Sequence, residues 1–309
     1  PRQIAEIIAT SLKSSEIIER IEIAGPGFIN ITLVKASQGA VVNAIFAQGE
    51  KYGEVKILAG VKINLEFISA NPTGPLHLGH TRWAAVGDAL ARVLSAGGAK
   101  VAREFYINDR GNQMDLFGAS LAASALGQAK PEDGYQGQYI DELAQEILIK
   151  HPEYKELSGQ SASDTFREAG YELQLAQQKK VLDNFGTRFD IWFSERSLHS
   201  GDGIDKALAT LKSQGHTYED EGAIWLRTTD FGDDKDRVLV KSGGELTYFS
   251  SDTAYYLDKR RRGFDICIYM LGADHHGYVG RLKATAACAG DDPEYNIHVL
   301  IGQLVKIIE

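Results

Sequence analysis

Two histidines, His77 and His80, stand three residues apart in the run Asn71-Pro72-Thr73-Gly74-Pro75-Leu76-His77-Leu78-Gly79-His80. On the first turn of a helix that spacing puts both rings on one side. There their N–H groups can donate to phosphate oxygens, beside the unpaired backbone N–H groups of the helix start. Gly79 between them leaves room for a flat base to approach the backbone. Before the run, Val61, Ile63, Leu65 and Phe67 alternate with Lys62, Asn64 and Glu66, the period of a strand. After it, Val86, Leu90, Val93 and Leu94 mark one face of a helix expected over 78–95 and stopped by Gly97-Gly98. Strand, loop and helix in that order form the place where open α/β sheets hold nucleotides. Taken alone, the two histidines could also be half a metal site, although no third ligand is evident nearby, or a pair of capped surface residues.

Other residues invite the same question. Gly272-Ala273-Asp274-His275-His276 follows the apolar run 264–271 and lies at a second strand end. A metal cluster there is disfavoured, because adjacent side chains rarely converge on one ion. Glu66 ends the first strand. Asp252, four residues after Tyr248, is expected to open a helix over 252–262, and by itself it reads as an N-cap.

The elements that must position these residues follow from pattern. A helix over 1–13, strands over 20–24 and 28–34 around Gly25-Pro26-Gly27, and a helix over 37–47 make a small α+β unit. Strand 61–67, helix 78–95 and strand 101–107 make a βαβ unit, the building block of a parallel sheet. Helices at 114–126, 140–150 and 165–184 interrupt that alternation. Strands at 223–227, 237–241 and 245–249, with a turn at Ser242-Gly243-Gly244, suggest a β meander. Strand 264–271, helix 278–289 and strand 297–301 restore the βα rhythm.

Composition sets limits. The 309 residues suffice for two units, and 43% hydrophobic with 24% charged residues is ordinary for a soluble enzyme. No apolar run reaches the roughly 20 residues of a membrane span, and the start lacks a signal-peptide layout. Cys267 and Cys288 have no metal-like spacing and read as buried thiols of a reducing compartment, so the cytoplasm is expected. A net charge of −9 works against a general polyanion-binding surface. The basic run Lys259-Arg260-Arg261-Arg262 is read as a solvated helix C-terminus.

The residues from Glu66-Phe67 through Ser69-Ala70-Asn71-Pro72-Thr73 to His77-Leu78-Gly79-His80 resemble the signature of class I aminoacyl-tRNA synthetases, and more narrowly their arginyl members. The resemblance continues through Gly87-Asp88 and Tyr106-Ile107-Asn108-Asp109-Arg110-Gly111-Asn112-Gln113. It resumes at Tyr248 and Asp252, at Gly272-Ala273-Asp274-His275-His276-Gly277, and at Gly302-Gln303. Pro1-Arg2, Ile4-Ala5 and Ala24-Gly25-Pro26-Gly27-Phe28-Ile29-Asn30 resemble the end of that family's N-terminal tRNA-binding domain.

The resemblance implies a Rossmann-like catalytic domain over 59–309, with a mostly helical insertion near 112–196 and a β insertion near 217–249. Residues 1–58 would be part of the N-terminal domain. It further implies arginine, ATP with Mg²⁺, and tRNA(Arg) as substrates and partners, with the protein a cytoplasmic monomer. His77 and His80 become the catalytic donors. Residues 71–80, Gly272 and Asp274 become the ATP site, with Asp274 on the ribose hydroxyls. Glu66, Asn71, Tyr248 and Asp252 become the arginine site, with His275 at its border. Which carboxylate takes the guanidinium stays open. No Lys-Met-Ser-Lys tetrapeptide occurs, and the resemblance puts that loop, then an all-helical domain, downstream of Glu309. A synthetase for another amino acid fits the paired carboxylates less well. A non-catalytic tRNA-binding relative draws its support from the missing tetrapeptide.

Overall fold

The structure, a computed structural model, describes residues 1–303, with the side chains of all but Ser37, Gln38, Asp274 and His276. It divides into two compact units, Pro1–Val55 and Lys56–Glu309.

In the first unit, helix α1 (Arg2–Leu12) is followed by β1 (Ile18–Ala24), β2 (Phe28–Leu33) and helix α2 (Lys35–Gln48). β1 and β2 form an antiparallel hairpin. Gly27 makes its turn possible: it has φ +142°, and a Cβ there would lie 3.0 Å from the Pro1 carbonyl carbon. Ala5 and Ala9 are the buried face of α1.

The second unit is built on a five-stranded sheet. Its elements in order are β3 (Lys62–Glu66), α3 (Leu78–Ala96), β4 (Lys100–Ile107), α4 (Asn112–Ala125), α5 (Gln138–Lys150), α6 (Gly159–Phe185) and β5 (Ile191–Ser194). Then come α7 (Arg196–Ser200), α8 (Gly203–Ser213), β6 (Thr217–Asp220), β7 (Ala223–Leu226), β8 (Arg237–Val240) and α9 (Tyr248–Arg261). β9 (Ile266–Gly272), α10 (Val279–Cys288) and β10 (Ile297–Gly302) close the series. The sheet order is β10-β9-β3-β4-β5, and every neighbouring pair is parallel. From β3 the chain builds outward through β4 and β5, then returns to the other side of β3 with β9 and β10. The switch point therefore lies between the C-terminal ends of β3 and β9, where a doubly wound sheet opens a crevice. The α/β, Rossmann-like expectation is met.

Helices α4, α5 and α6 have their own core, around Met114, Phe117, Leu121, Ile140 and Phe166. Two glycines set the approach of α4 to α6. A Cβ at Gly118 would lie 2.5 Å from the Ser163 carbonyl oxygen, and one at Gly170 would lie 2.2 Å from Leu121 Cδ1. β6, β7 and β8 form a separate antiparallel sheet.

One expectation is incomplete and another needs correction. The mostly helical span 112–196 also holds an unexpected strand, β5, which pairs with β4 in the main sheet. Four half-buried residues, Ile191-Trp192-Phe193-Ser194, are too few to show a period. The segment 245–249 is not a strand. After the turn only Leu246 bridges back to Val240, and α9 begins at Tyr248. Thr247 caps that helix: its hydroxyl accepts the Ser250 N–H at 3.3 Å and donates to the Val238 carbonyl at 2.7 Å. Asp252 is thus in the second turn and is not the cap. Among the described residues no helix is long and apolar enough to cross a membrane.

Candidate active site

The loop between β3 and α3 leaves the strand through a strained turn. Ile68 and Ser69 have φ of +71° and +45°, a conformation that costs a non-glycine residue on the order of 1–3 kcal/mol. The turn puts the Ser69 hydroxyl between two partners. It donates to Glu66 Oε1 at 3.1 Å and accepts the Tyr106 N–H at 3.1 Å. Beyond it, the loop is held from α4, α5 and α6. Gln178, buried on α6, donates to the carbonyls of Asn71 and Gly74, both at 2.9 Å. Tyr139 donates to the Thr73 carbonyl at 3.0 Å, and Asn71 donates to the Gln113 side chain. The helical insertion thus acts as the clamp for the signature loop.

His77 is the N-cap of α3 and His80 is its third residue. The His77 N–H donates to His80 Nδ1, and the Gly79 N–H donates to His77 Nδ1, each at 3.1 Å. The two rings lie 3.9 Å apart between centroids. Both Nδ1 atoms are acceptors, so each neutral imidazole carries its proton on Nε2 and offers that N–H as a donor. Burial first, and the neighbouring His77 second, push His80 down to about 4, so it is neutral at physiological pH. Gly79 serves the pair directly, since a Cβ there would lie 2.9 Å from His77 Cε1.

At the switch point a cavity of about 250 Å³ is lined by Glu66, Tyr106, Asp252, Tyr255, Tyr269 and His275, among others. Glu66 closes β3, Tyr106 is on β4, Tyr269 on β9, and Asp252 and Tyr255 on α9. Glu66 and Asp252 meet here with different partners. Glu66 Oε2 accepts from Lys259 Nζ at 2.6 Å. Asp252 accepts from the Tyr278 hydroxyl. Burial chiefly, with the charge of Glu66 adding, raises Asp252 to about 6 against the pull of that hydrogen bond.

Of the residues singled out in the sequence, Glu66, Asp252 and His275 come together, and Asn71 lies in the loop beside the histidines. Tyr248 does not join the carboxylates. It is 80% exposed and lines a neighbouring cavity of about 600 Å³ with Arg110, Glu195 and His199. Gly272 ends β9, paired with Gly302 of β10. The Asp274 side chain, expected on a ribose, lies outside the described residues.

The basic run 259–262 is not a solvated helix end. Lys259 is fully buried. Arg262 grips Glu104 with two bonds of 2.6 and 3.1 Å, and Arg260 grips Asp291 with two of 2.9 Å. Arg261 reaches Asp258 at 2.5 Å. Burial opposes ionisation of Glu104, but Arg262 and Lys259 together hold it below the usual carboxylate range. Sequence reasoning missed Tyr278 and Glu195 altogether and met Lys259 only as part of a run read as solvated. Only Lys259 left a signal, sitting a helical turn or two after Tyr255 and Asp252. Among the described residues no three His, Cys, Asp or Glu side chains are grouped to hold a metal ion. Cys267 and Cys288 are buried free thiols.

The family described as "tRNA synthetases class I (R), catalytic domain" matches residues 41–302, and "Arginyl tRNA synthetase N terminal domain" matches residues 1–33. Proteins named arginine–tRNA ligase from Renibacterium salmoninarum and Paenarthrobacter aurescens are 56% and 55% identical over 307 residues, 99% of this chain. The chain spans 56% of the length of each of these curated relatives. A crystal structure from Campylobacter jejuni carrying the arginyl-tRNA synthetase name is 35% identical, with a TM-score of 0.80 over 88% of this chain and 61% of that one. Thermus thermophilus arginyl-tRNA synthetase, 21% identical, shares the fold with a TM-score of 0.71 over 98% of this chain and 57% of that one. The parallel sheet, the paired histidines at the start of α3 and these matches together lead to one conclusion: the chain belongs to the arginyl-tRNA synthetase family of class I aminoacyl-tRNA synthetases.

Proposed function

We propose that this chain supplies the catalytic domain of an arginine–tRNA ligase. In the first step a carboxylate oxygen of arginine attacks the α-phosphorus of ATP, and pyrophosphate leaves as the arginyl-adenylate forms. In the second, the 2′-hydroxyl of the terminal ribose of tRNA(Arg) attacks the carbonyl of that mixed anhydride, and AMP leaves. Mg²⁺ belongs to the proposal as a charge-neutralising partner of the phosphates; because no three His, Cys, Asp or Glu side chains among the described residues are grouped to hold it, the nucleotide itself would carry it. The Nε2–H groups of His77 and His80 donate to the phosphoryl oxygens, where charge grows in the transition state. Residues 71–80 and Gly272 border the nucleotide, and the Asp274 carboxylate is assigned to its ribose. Gln178 and Tyr139 keep the loop in place, so that little of the chemistry is lost to misorientation.

The observation that carries the reading is the small cavity at the switch point, where Asp252 and Glu66 face inward beside the histidine loop. Arginine has a fixed planar cation with five donors, and a buried carboxylate is its best match. Asp252 takes that role, with Glu66 and Asn71 nearer the α-amino end. Tyr248, on the same helix as Asp252, would have to turn inward to contribute.

The test is ATP–pyrophosphate exchange by the whole gene product with tRNA(Arg) present. Exchange should depend on arginine and should be absent with citrulline, which has the same shape without the charge. Equal exchange with citrulline, or none with arginine, would overturn the reading.

A further inference from the structure

A buried cation lies behind the cavity wall. Lys259 Nζ lies 2.6 Å from Glu66 and 4.0 Å from Glu104. It sits over the rings of Tyr255 and Tyr269, at 4.2 and 3.8 Å from their centroids. Both tyrosines line the cavity. Glu104 is already gripped by Arg262, so the partner left for Lys259 is Glu66. Ser69 holds the other oxygen of Glu66. Glu66 is thus fixed at both oxygens and its charge is answered before a substrate arrives. Asp252 is in a different position. Its hydrogen bond comes from the neutral Tyr278 hydroxyl, and Arg281 and His275 act on it through their charge.

We propose that Lys259 is a positioning residue for the substrate amino acid: by binding Glu66 it reserves Asp252 as the acceptor of the guanidinium group. The proposal rests on the arginine reading above. Its physical content is a division of charge. Two carboxylates facing one small cavity resist being ionised together, and the first to be compensated leaves the other free to act. Glu66 already pushes the Asp252 carboxyl upward. Under the proposal Lys259, 2.6 Å from Glu66, limits that push by answering its charge. The other charged or titratable groups around Asp252 are Tyr106 of β4, Glu195 after β5, and His275, Tyr278 and Arg281 on the segment that becomes α10. None of these touches Glu66 as Lys259 does. Without Lys259, the uncompensated charge of Glu66 would push the Asp252 carboxyl further up, and the cavity would lose the charge that recognises arginine.

The experiment measures the arginine KM by exchange between pH 5.5 and 9 in the whole gene product, with melting temperatures alongside. The unsubstituted protein is compared with Lys259→Met and with Lys259→Met/Glu66→Gln. In Lys259→Met the pH below which KM rises should move up by about one unit or more, while kcat at saturating arginine changes less. In the double variant the repelling charge is gone. The midpoint should return to the unsubstituted value or lower, and the melting temperature should recover. If Lys259 only supports packing, KM and kcat fall together with the melting temperature and the midpoint stays put, which overturns the proposal. Should Lys259→Met fail to fold, the double variant decides: a midpoint well above the unsubstituted value overturns the proposal. An unsubstituted protein without arginine-dependent exchange defeats the arginine reading, and this inference with it. An active one with unmoved midpoints in both variants defeats the inference alone.

Discussion

His77 and His80 sit in one helical turn and hold each other through its backbone, with His77 exposed and His80 half-buried. Glu66 and Asp252 come from the first strand of the sheet and a late helix, and they need a buried lysine, a buried tyrosine cluster and a second ion pair around Glu104 to coexist. The difference follows from the task. An N–H donor aimed at a phosphate works at the mouth of a cleft, because a neutral imidazole loses little on partial burial. A carboxylate that must tell a guanidinium from its neutral isostere works best away from water, where an unmatched charge is costly. Desolvation supplies that discrimination, and it demands that every other charge nearby be answered. The histidine half is therefore cheap to build and easy to remove without harm to the fold. The carboxylate half is part of the core.

Substitutions should expose that contrast. The largest effect is expected at Arg262, which sits behind the cavity and away from substrate. Arg262→Met strips Glu104 of its bidentate partner inside the fold and should cost about 3–5 kcal/mol in urea denaturation. A loss under about 1 kcal/mol would mean that the carboxylate half is not held by its ion pairs. Next comes His80→Ala. It should slow adenylate formation about 10²–10³-fold while leaving the urea midpoint and the arginine KM nearly unchanged. Because His80 is neutral down to about 4, its contribution should be flat from pH 5 upward. A change confined to KM would contradict the donor role. The smallest effect is expected at Gln178, which clamps the loop without touching substrate. Gln178→Ala removes two hydrogen bonds, each worth about 0.5–1.5 kcal/mol net. It should lower kcat about tenfold through loop disorder, and Gln178→Glu, which keeps the length but loses the amide donor, should not rescue it.

The same contrast explains what the sequence disclosed. The histidine loop was legible because its chemistry and its geometry share ten consecutive residues between a clear strand and a clear helix. Glu66 and Asp252 were legible only through family resemblance, since nothing local ties them together. Asp252 looked like a helix cap because Tyr248-Phe249 reads as strand; Thr247 caps instead, and its hydroxyl bond to Val238 was invisible in the chain. Lys259 read as solvent-facing because a run of four basic residues usually is. Its burial depends on Glu66 of β3 and Tyr269 of β9 arriving beside Tyr255 of its own helix. β5 was missed because a four-residue strand has no period to detect. Tyr248 was assigned to the carboxylates by motif, yet its side chain faces the adjoining cavity.

The central claim is that Asp252 reads the charge of the substrate, and the arginine KM of Asp252→Asn tests it most directly. Burial raises Asp252 to about 6, so in the unsubstituted protein KM should climb as pH falls through 6, where the carboxylate is protonated. Between the unfolded value near 4 and about 6 the folded state binds more protons than the unfolded one, so Asp252 lowers stability as pH rises through that window. Asparagine removes that cost, and the melting temperature at pH 8 should hold or increase. Its amide presents donors where arginine needs acceptors, and a charge-assisted bond worth about 1.5–3 kcal/mol disappears. The account predicts an arginine KM at least roughly tenfold higher at pH 8 in Asp252→Asn, with the climb near pH 6 abolished. An unchanged KM with the pH dependence intact would contradict it and would shift guanidinium recognition to Glu66.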